Sequence, residues 1–160
     1  MDKILWKGGK RKGMTERTLV FLKPEAIMRG IMGEIISRIE RKGLTIAAMK
    51  LLHPTRKQAE KIYEVHKGKN FYKPLVDHVT SGPILAMVID GPDAVLVLRN
   101  MIGKTNPIEA QPGTIRGDFA LNVRKNVIHA SDSLENAKKE IEIFFRSDEI
   151  LEYRKPAEAQ

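Results

Sequence analysis

Arg17-Thr18-Leu19-Val20-Phe21-Leu22-Lys23-Pro24 sets the frame for the whole chain. Four consecutive apolar residues between polar ends read as a buried strand, and Pro24, which has no N–H for a ladder, stops it. Downstream, Ile31, Ile35, Ile36 and Ile39 recur at helical spacing, and Gly43 supplies a C-terminal stop. Thr45 to Leu52 predicts a second strand, closed by Pro54. Two helical stretches follow, Arg56 to Lys67 and Tyr72 to Val79. Pro83 to Ile89 reads as a third strand, Pro92 to Ile102 as a helix, and Asp118 to Val123 as a fourth strand. A last helix is expected from Ser133 to Phe145, with Leu134, Ala137, Ile141 and Phe144 on its buried face.

This order is β-α-β followed by β-α-β, with extra helices inserted between and after. It predicts an α/β (α+β) ferredoxin-like sandwich, a four-stranded antiparallel sheet covered by helices. Between Gly103 and Asp118 lies a long loop rich in Pro, Gly and Thr. Loops beyond about 12–15 residues in compact domains are functional or disordered as a rule, and the specific polar groups of this one favour function.

The 160 residues suit one globular domain, 14–160, and the 42% apolar and 30% charged content is that of a soluble, folded chain. No run approaches the ~20 apolar residues of a membrane span. The absence of cysteine removes disulfides and thiolate metal sites, and fits a cytoplasmic location. Residues 1–13 read as a flexible basic tail: Lys3, Lys7, Lys10, Arg11 and Lys12 against Asp2 contribute +4 of the formal net charge of +8. Ile4-Leu5-Trp6 is too short for a secretory signal. Met14 offers a second start of translation.

Two motifs mislead. Gly103-Lys104-Thr105 ends like a Walker A loop, but that loop needs a glycine five residues earlier, where Leu98 stands in an apolar helical run. Arg116-Gly117-Asp118 spells an adhesion tripeptide with nothing extracellular around it.

The four histidines lack metal-ligand spacing. His53 precedes a proline in a turn and reads as a surface residue; His78 reads equally well as half-buried packing. His66 ends a helix near Lys67, Gly68 and Lys69, where an anion can approach. His129 is delivered by Val127-Ile128 to the entrance of a helix, and Asp132 with Glu135 has capping-box spacing. Neutral imidazole is nucleophilic near pH 7, and a helix N-terminus favours phosphate charge. A satisfied capping histidine is the competing reading of His129, and a solvated helix glutamate that of Glu140. Arg99, Lys104, Thr105 and Arg116 gather around the long loop as a polyphosphate clamp would, although each alone is an ordinary surface residue.

Thr18 to Glu25 with Arg29-Gly30, Ser81-Gly82-Pro83, Gly103 to Pro107, Pro112 to Phe119 and Asn126 to Ser133 together resemble the nucleoside diphosphate kinase family. The resemblance runs in order, without gaps, from Met14 to Tyr153. It implies that His129 carries the phosphoryl group, with Glu140 and Ser131 orienting its ring and Tyr63 beside it. It also implies that Arg99, Thr105 and Arg116 hold the β- and γ-phosphates, with His66 near the α-phosphate. Lys23 and Asn126 would bond the ribose hydroxyls, Lys23 reaching on toward the transferred phosphate. Phe71 would stack on the base, with Leu75 and Val123 completing an apolar slot. A phenyl face accepts any base, so broad nucleotide tolerance is expected. The expected substrates are nucleoside triphosphates and diphosphates, with Mg²⁺ held mainly by their phosphates and by no side chain directly. The expected assembly is a homohexamer, or alternatively a homotetramer.

Two positions depart from the family pattern. Ala130 stands where glycine usually follows the histidine; if that residue needs φ > 0, alanine costs on the order of 1 kcal/mol. Glu25 stands where Asp is common after Lys-Pro. A rival reading, a nucleic-acid-binding module, draws on the basic tail and on the topology shared with RNA-recognition domains. No strand has the aromatic-rich pattern such domains use, so nucleic acid would be contacted through the tail alone. A family member kept as an inactive scaffold is opposed by the intact set of His129, Arg99, Arg116, Lys23 and Asn126.

Overall fold

The computed structural model describes residues 15–153, so the basic tail and Met14 lie outside the described residues. Four strands, β1 (Thr15–Leu22), β2 (Thr45–Leu52), β3 (Ile84–Pro92) and β4 (Ile128–Ala130), form one sheet in the order β2-β3-β1-β4. Each adjacent pair is antiparallel, which is the ferredoxin-like arrangement.

The helices, in chain order, are α1 (Pro24–Met28), α2 (Met32–Arg41), α3 (Arg56–Ile62), α4 (Tyr72–Val79), α5 (Ala94–Ile102), α6 (Ile115–Phe119) and α7 (Leu134–Phe144). They cover both faces of the sheet, and this explains the unbroken apolar run of β1. Val20 and Leu22 pack into a core with Ile35, Ile39, Leu98 and Ile102 from α2 and α5. Leu19 and Phe21 face the other way, onto Ala59, Val76, Ile141 and Phe144 from α3, α4 and α7. A strand covered on both faces buries every side chain, so period-2 alternation vanishes.

Several boundaries differ from expectation. Asp118 to Val123 is no strand: Asp118 and Phe119 end the short α6, whose N-cap Thr114 accepts from the Gly117 N–H, and Leu121 and Val123 are exposed. The fourth strand comes later and is only three residues long. The helix expected over Arg56 to Lys67 stops at Ile62 and continues as a 3₁₀ turn, Glu64–His66. Pro92 ends β3, and α5 begins at Ala94. The N-cap of α7 is Ser133, accepting from Asn136 N–H at 3.1 Å, so the Asp132–Glu135 capping box does not form. Asp132 instead accepts from the Asn136 side-chain amide at 2.6 Å.

The segment from Gly103 to Asp118 is packed by its own polar groups. Asp118 accepts from the Gly113 N–H at 2.9 Å and pairs with Arg38 at 2.8 Å, tying the segment to α2. A Cβ on Gly117 would stand 2.0 Å from the Gln111 carbonyl oxygen, a backbone atom that cannot step aside. Gly117→Ala is therefore expected to cost on the order of 2–4 kcal/mol, read as a lowered denaturation midpoint.

Candidate active site

The β1–β4 register sets His129 opposite Phe21, and the imidazole stacks on that phenyl ring at 4.6 Å with an interplanar angle of 17°. Tyr63 meets the imidazole edge-on at 6.3 Å. Glu140 lies on the buried side of α7 with Ala137, Ile141 and Phe144 and is only 9% exposed, so it is not a solvated helix glutamate. Its Oε1 accepts from His129 Nε2 at 2.5 Å. With Nε2–H donating to a carboxylate, Nδ1 holds the lone pair, and the imidazole presents a nucleophile rather than a proton. Ser131 is buried, but its hydroxyl has no hydrogen-bond partner among the described residues. The hydroxyl is therefore free to accept or donate a hydrogen bond within the site.

His129 opens into a cleft of about 1250 Å³, large enough for a nucleotide. One wall is cationic. Lys23 follows β1 and is 5% exposed. Burial pushes its ammonium down to about 8; Glu25 opposes that shift and Arg116 adds to it. Arg116 is buried as well, and burial followed by the like charge of Arg99 brings it down to about 10, so it stays charged near neutrality. Its guanidinium donates to the carbonyls of Ile128 at 2.7 Å, Gly103 at 3.2 Å and Asn126 at 3.4 Å. Arg116 thus joins the long loop to the histidine segment besides charging the cleft. Arg99 donates to the Ala130 carbonyl at 3.4 Å. Asn126 donates from Nδ2 to the Thr105 carbonyl at 3.0 Å, while its buried Oδ1 has no partner among the described residues.

The rest of the lining includes aromatic and apolar groups. Phe71 is 47% exposed and Val123 51%, so neither is core packing; Leu75 lines the cleft with them. His66 stands edge-on to Phe71 at 5.0 Å. Burial, then Lys69 and His129, lower its pKa, and Lys69 Nζ donates to its Nδ1 at 3.4 Å. Tyr63 is buried; burial and the carboxylates of Glu25 and Glu140 drive its phenol well above the usual range, so it stays a hydroxyl. Every site residue singled out in the sequence therefore lines this cleft except Ser131 and Lys104.

A family model described as nucleoside diphosphate kinase matches residues 16–150. A nucleoside diphosphate kinase of Kosmotoga olearia is 59% identical over 145 residues, which cover 91% of this chain and 99% of the relative. One of Methanocaldococcus jannaschii is 56% identical, covering 87% and 99%. Among solved structures, a halophilic nucleoside diphosphate kinase of Halobacterium salinarum in complex with CDP matches with a TM-score of 0.87 at 38% identity, covering 91% of this chain and 97% of that one. The chain belongs to the nucleoside diphosphate kinase family. It is a nucleotide-binding enzyme, a phosphotransferase.

Both departures from the family pattern now have a structural setting. Ala130 lies in β4 opposite Val20 and is not among the residues with positive φ, so alanine meets no left-handed strain there. The strain sits three residues earlier. Val127 has φ 77° and is fully buried, and the Ile128 N–H donates to the Asn126 carbonyl at 2.9 Å, closing a γ-turn. A β-branched residue in this region costs on the order of 1–3 kcal/mol and persists only where its surroundings hold it. Glu25 is one of those surroundings: it accepts from the Val127 N–H at 3.0 Å and from His78 Nε2 at 2.6 Å. Burial alone would raise the Glu25 carboxyl, but the hydrogen bonds from His78 and from backbone N–H groups hold it below its usual value. His78, read in the sequence as a packing residue, lines the cleft. His53 is exposed, with its Nε2 2.7 Å from the Thr80 carbonyl.

The Lys23 ammonium gives a pH prediction with a definite sign. Its lowered pKa means that the charged form is lost as pH rises through about 8 rather than at the ordinary lysine value. kcat/KM is expected to fall above pH 8, and Lys23→Gln should lower it throughout and remove that limb. An unchanged limb in the variant would assign the titration elsewhere.

Proposed function

We propose that the enzyme carries the γ-phosphoryl group of a nucleoside triphosphate to a nucleoside diphosphate by a ping-pong mechanism through a phosphohistidine at His129. The observation behind this reading is the His129 Nε2–Glu140 contact at 2.5 Å, which leaves Nδ1 as the nucleophile. The Nδ1 lone pair attacks the γ-phosphorus in line. An N–P bond forms as the bond to the β,γ-bridging oxygen breaks, and the electron pair leaves with the diphosphate. The ring then bears phosphorus on Nδ1 and a proton on Nε2, a cationic form that Glu140 neutralises. A terminal phosphate oxygen of a second diphosphate reverses the step, and the lone pair returns to Nδ1.

Positioning and charge neutralisation account for most of such catalysis. Arg99, Arg116 and Thr105 hold the β- and γ-phosphates, with Lys23 at the transferred group and His66 near the α-phosphate. Asn126 Oδ1, buried and unpaired among the described residues, suits a ribose hydroxyl, which Lys23 also reaches. Ser131, with an equally unpaired hydroxyl, assists Glu140 in orienting the ring. Phe71, Leu75 and Val123 take the base by stacking and apolar contact, which gives broad base tolerance.

No three His, Asp or Glu side chains among the described residues are grouped to hold a metal. Asp132 and Glu140 already accept from Asn136 and His129. In this reading Mg²⁺ arrives on the polyphosphate, where it would neutralise phosphate charge beside Arg99, Arg116 and Lys23. We further take residues 14–160 as a single domain, the location as cytoplasmic, and the assembly as a homohexamer rather than a homotetramer. Exposed Met49 and Leu51 on the sheet-edge strand β2 support assembly, and native mass spectrometry of the 18.1 kDa chain counts the subunits.

Initial velocities test the mechanism. Parallel double-reciprocal lines are expected when donor and acceptor are varied, with one diphosphate released per site when no acceptor is present. Intersecting lines would overturn it.

A further inference from the structure

The geometry points to His78 and Glu25 as positioning residues for phosphoryl transfer, a pair that holds the strained turn on which both Asn126 and His129 depend. This rests on the reading of His129 as the phosphoryl acceptor. The turn at Asn126-Val127-Ile128 has its polar groups fixed from two sides. Arg116 takes the carbonyls of Asn126 and Ile128. On the other side the Lys23 N–H donates to the Val127 carbonyl at 2.8 Å, and the Val127 N–H donates to Glu25 Oε1 at 3.0 Å. A cation and an anion thus grip one turn, of which the site residue Asn126 is the first member and after which His129 follows directly.

Glu25 cannot hold this place by itself. Its side chain is 9% exposed, and a carboxylate at that depth needs both oxygens satisfied. Oε1 is satisfied by the turn; Oε2 is satisfied by His78 Nε2 at 2.6 Å, reaching in from α4. The His78 ring bonds to Glu25, and the chain His78–Glu25–Val127 ends two residues from the nucleophile. Without His78, the cheapest relief for Glu25 is to turn an oxygen toward the water of the cleft, which releases the Val127 N–H. A positive-φ valine then loses one of the contacts that keep it there. The longer reach of Glu25, where the family pattern commonly has Asp, suits a carboxylate that must span from Val127 to α4.

The test replaces His78 by Phe, which fills the volume without a ring nitrogen, and by Gln, whose amide can donate to Glu25. The rate of His129 phosphorylation in a single turnover is expected to fall about tenfold in His78→Phe and to recover to within about threefold in His78→Gln. Thermal midpoints should stay within a few degrees of the parent, with His78→Leu standing in should the Phe variant not fold. The amide NMR signals of Val127, Ile128 and His129 should shift in His78→Phe and return in His78→Gln. Wild-type rates in His78→Phe, or shifts confined to α4, would overturn the positioning role, as would a loss that Gln does not repair. A parent enzyme that formed no phosphohistidine would overturn the reading of function instead, and the amide signals would then decide the pair by themselves.

Discussion

His129→Ala is expected to lower kcat/KM for phosphoryl transfer by at least about 10⁴-fold, equivalent to roughly 5.5 kcal/mol of transition-state stabilisation. The fold should survive, because what the ring contributes to packing is a stack on Phe21 and an edge contact with Tyr63, both held by their own cores. Glu140 would be left without its partner at the cleft wall, where water can reach it. A coupled assay of diphosphate phosphorylation with a thermal unfolding curve separates the two effects. Loss of activity with a native-like midpoint is the expected pairing. Retained turnover would mean that the nucleophile is another group.

The second large effect is expected at Arg116. Truncation to alanine removes a buried cation and leaves the carbonyls of Ile128, Gly103 and Asn126 short of a donor. Losing one member of a buried, hydrogen-bonded charged set costs about 3–5 kcal/mol. Activity should fall further than a lost phosphate contact alone predicts, by roughly 10²–10³-fold, since the same guanidinium places the His129 segment. Arg116→Lys should recover little of either, because one ammonium cannot reach three carbonyls in a fixed plane. Urea unfolding and steady-state kinetics on both variants check this. An alanine variant as stable as the parent would refute the splice and leave Arg116 a phosphate ligand only.

Arg116 also marks the boundary of what sequence could tell. Its charge beside a long Pro- and Gly-containing loop suggested a phosphate clamp only together with Arg99 and Thr105, whereas three backbone acceptors carry no sequence signal. The apolar runs of β1 and β3 were legible because both faces of the sheet are covered. Strand β4 was not, since three residues are too few for any periodicity. The apolar residues that drew the fourth strand to 118–123 have other uses: Val123 lines the His129 cleft and Leu121 faces outward. Glu140 is indistinguishable from a solvated helix residue until β4 is placed beside α7. Val127 is the hardest case, because β-branched residues rarely take positive φ, and only Arg116, Lys23 and Glu25 together explain why this one does. Ala130 drew attention to the backbone near His129, and the unusual residue proved to be Val127, two residues before the histidine.

The most direct test of the mechanism is to find where the phosphoryl group rests. Enzyme mixed with a nucleoside triphosphate in the absence of acceptor, freed of nucleotide and observed by ³¹P NMR, should show an acid-labile phosphohistidine. Correlation to the ring nitrogens should place the phosphorus on Nδ1 of His129, and added diphosphate should discharge it. Phosphorus on Nε2, or a signal that persists in His129→Ala, would contradict the account.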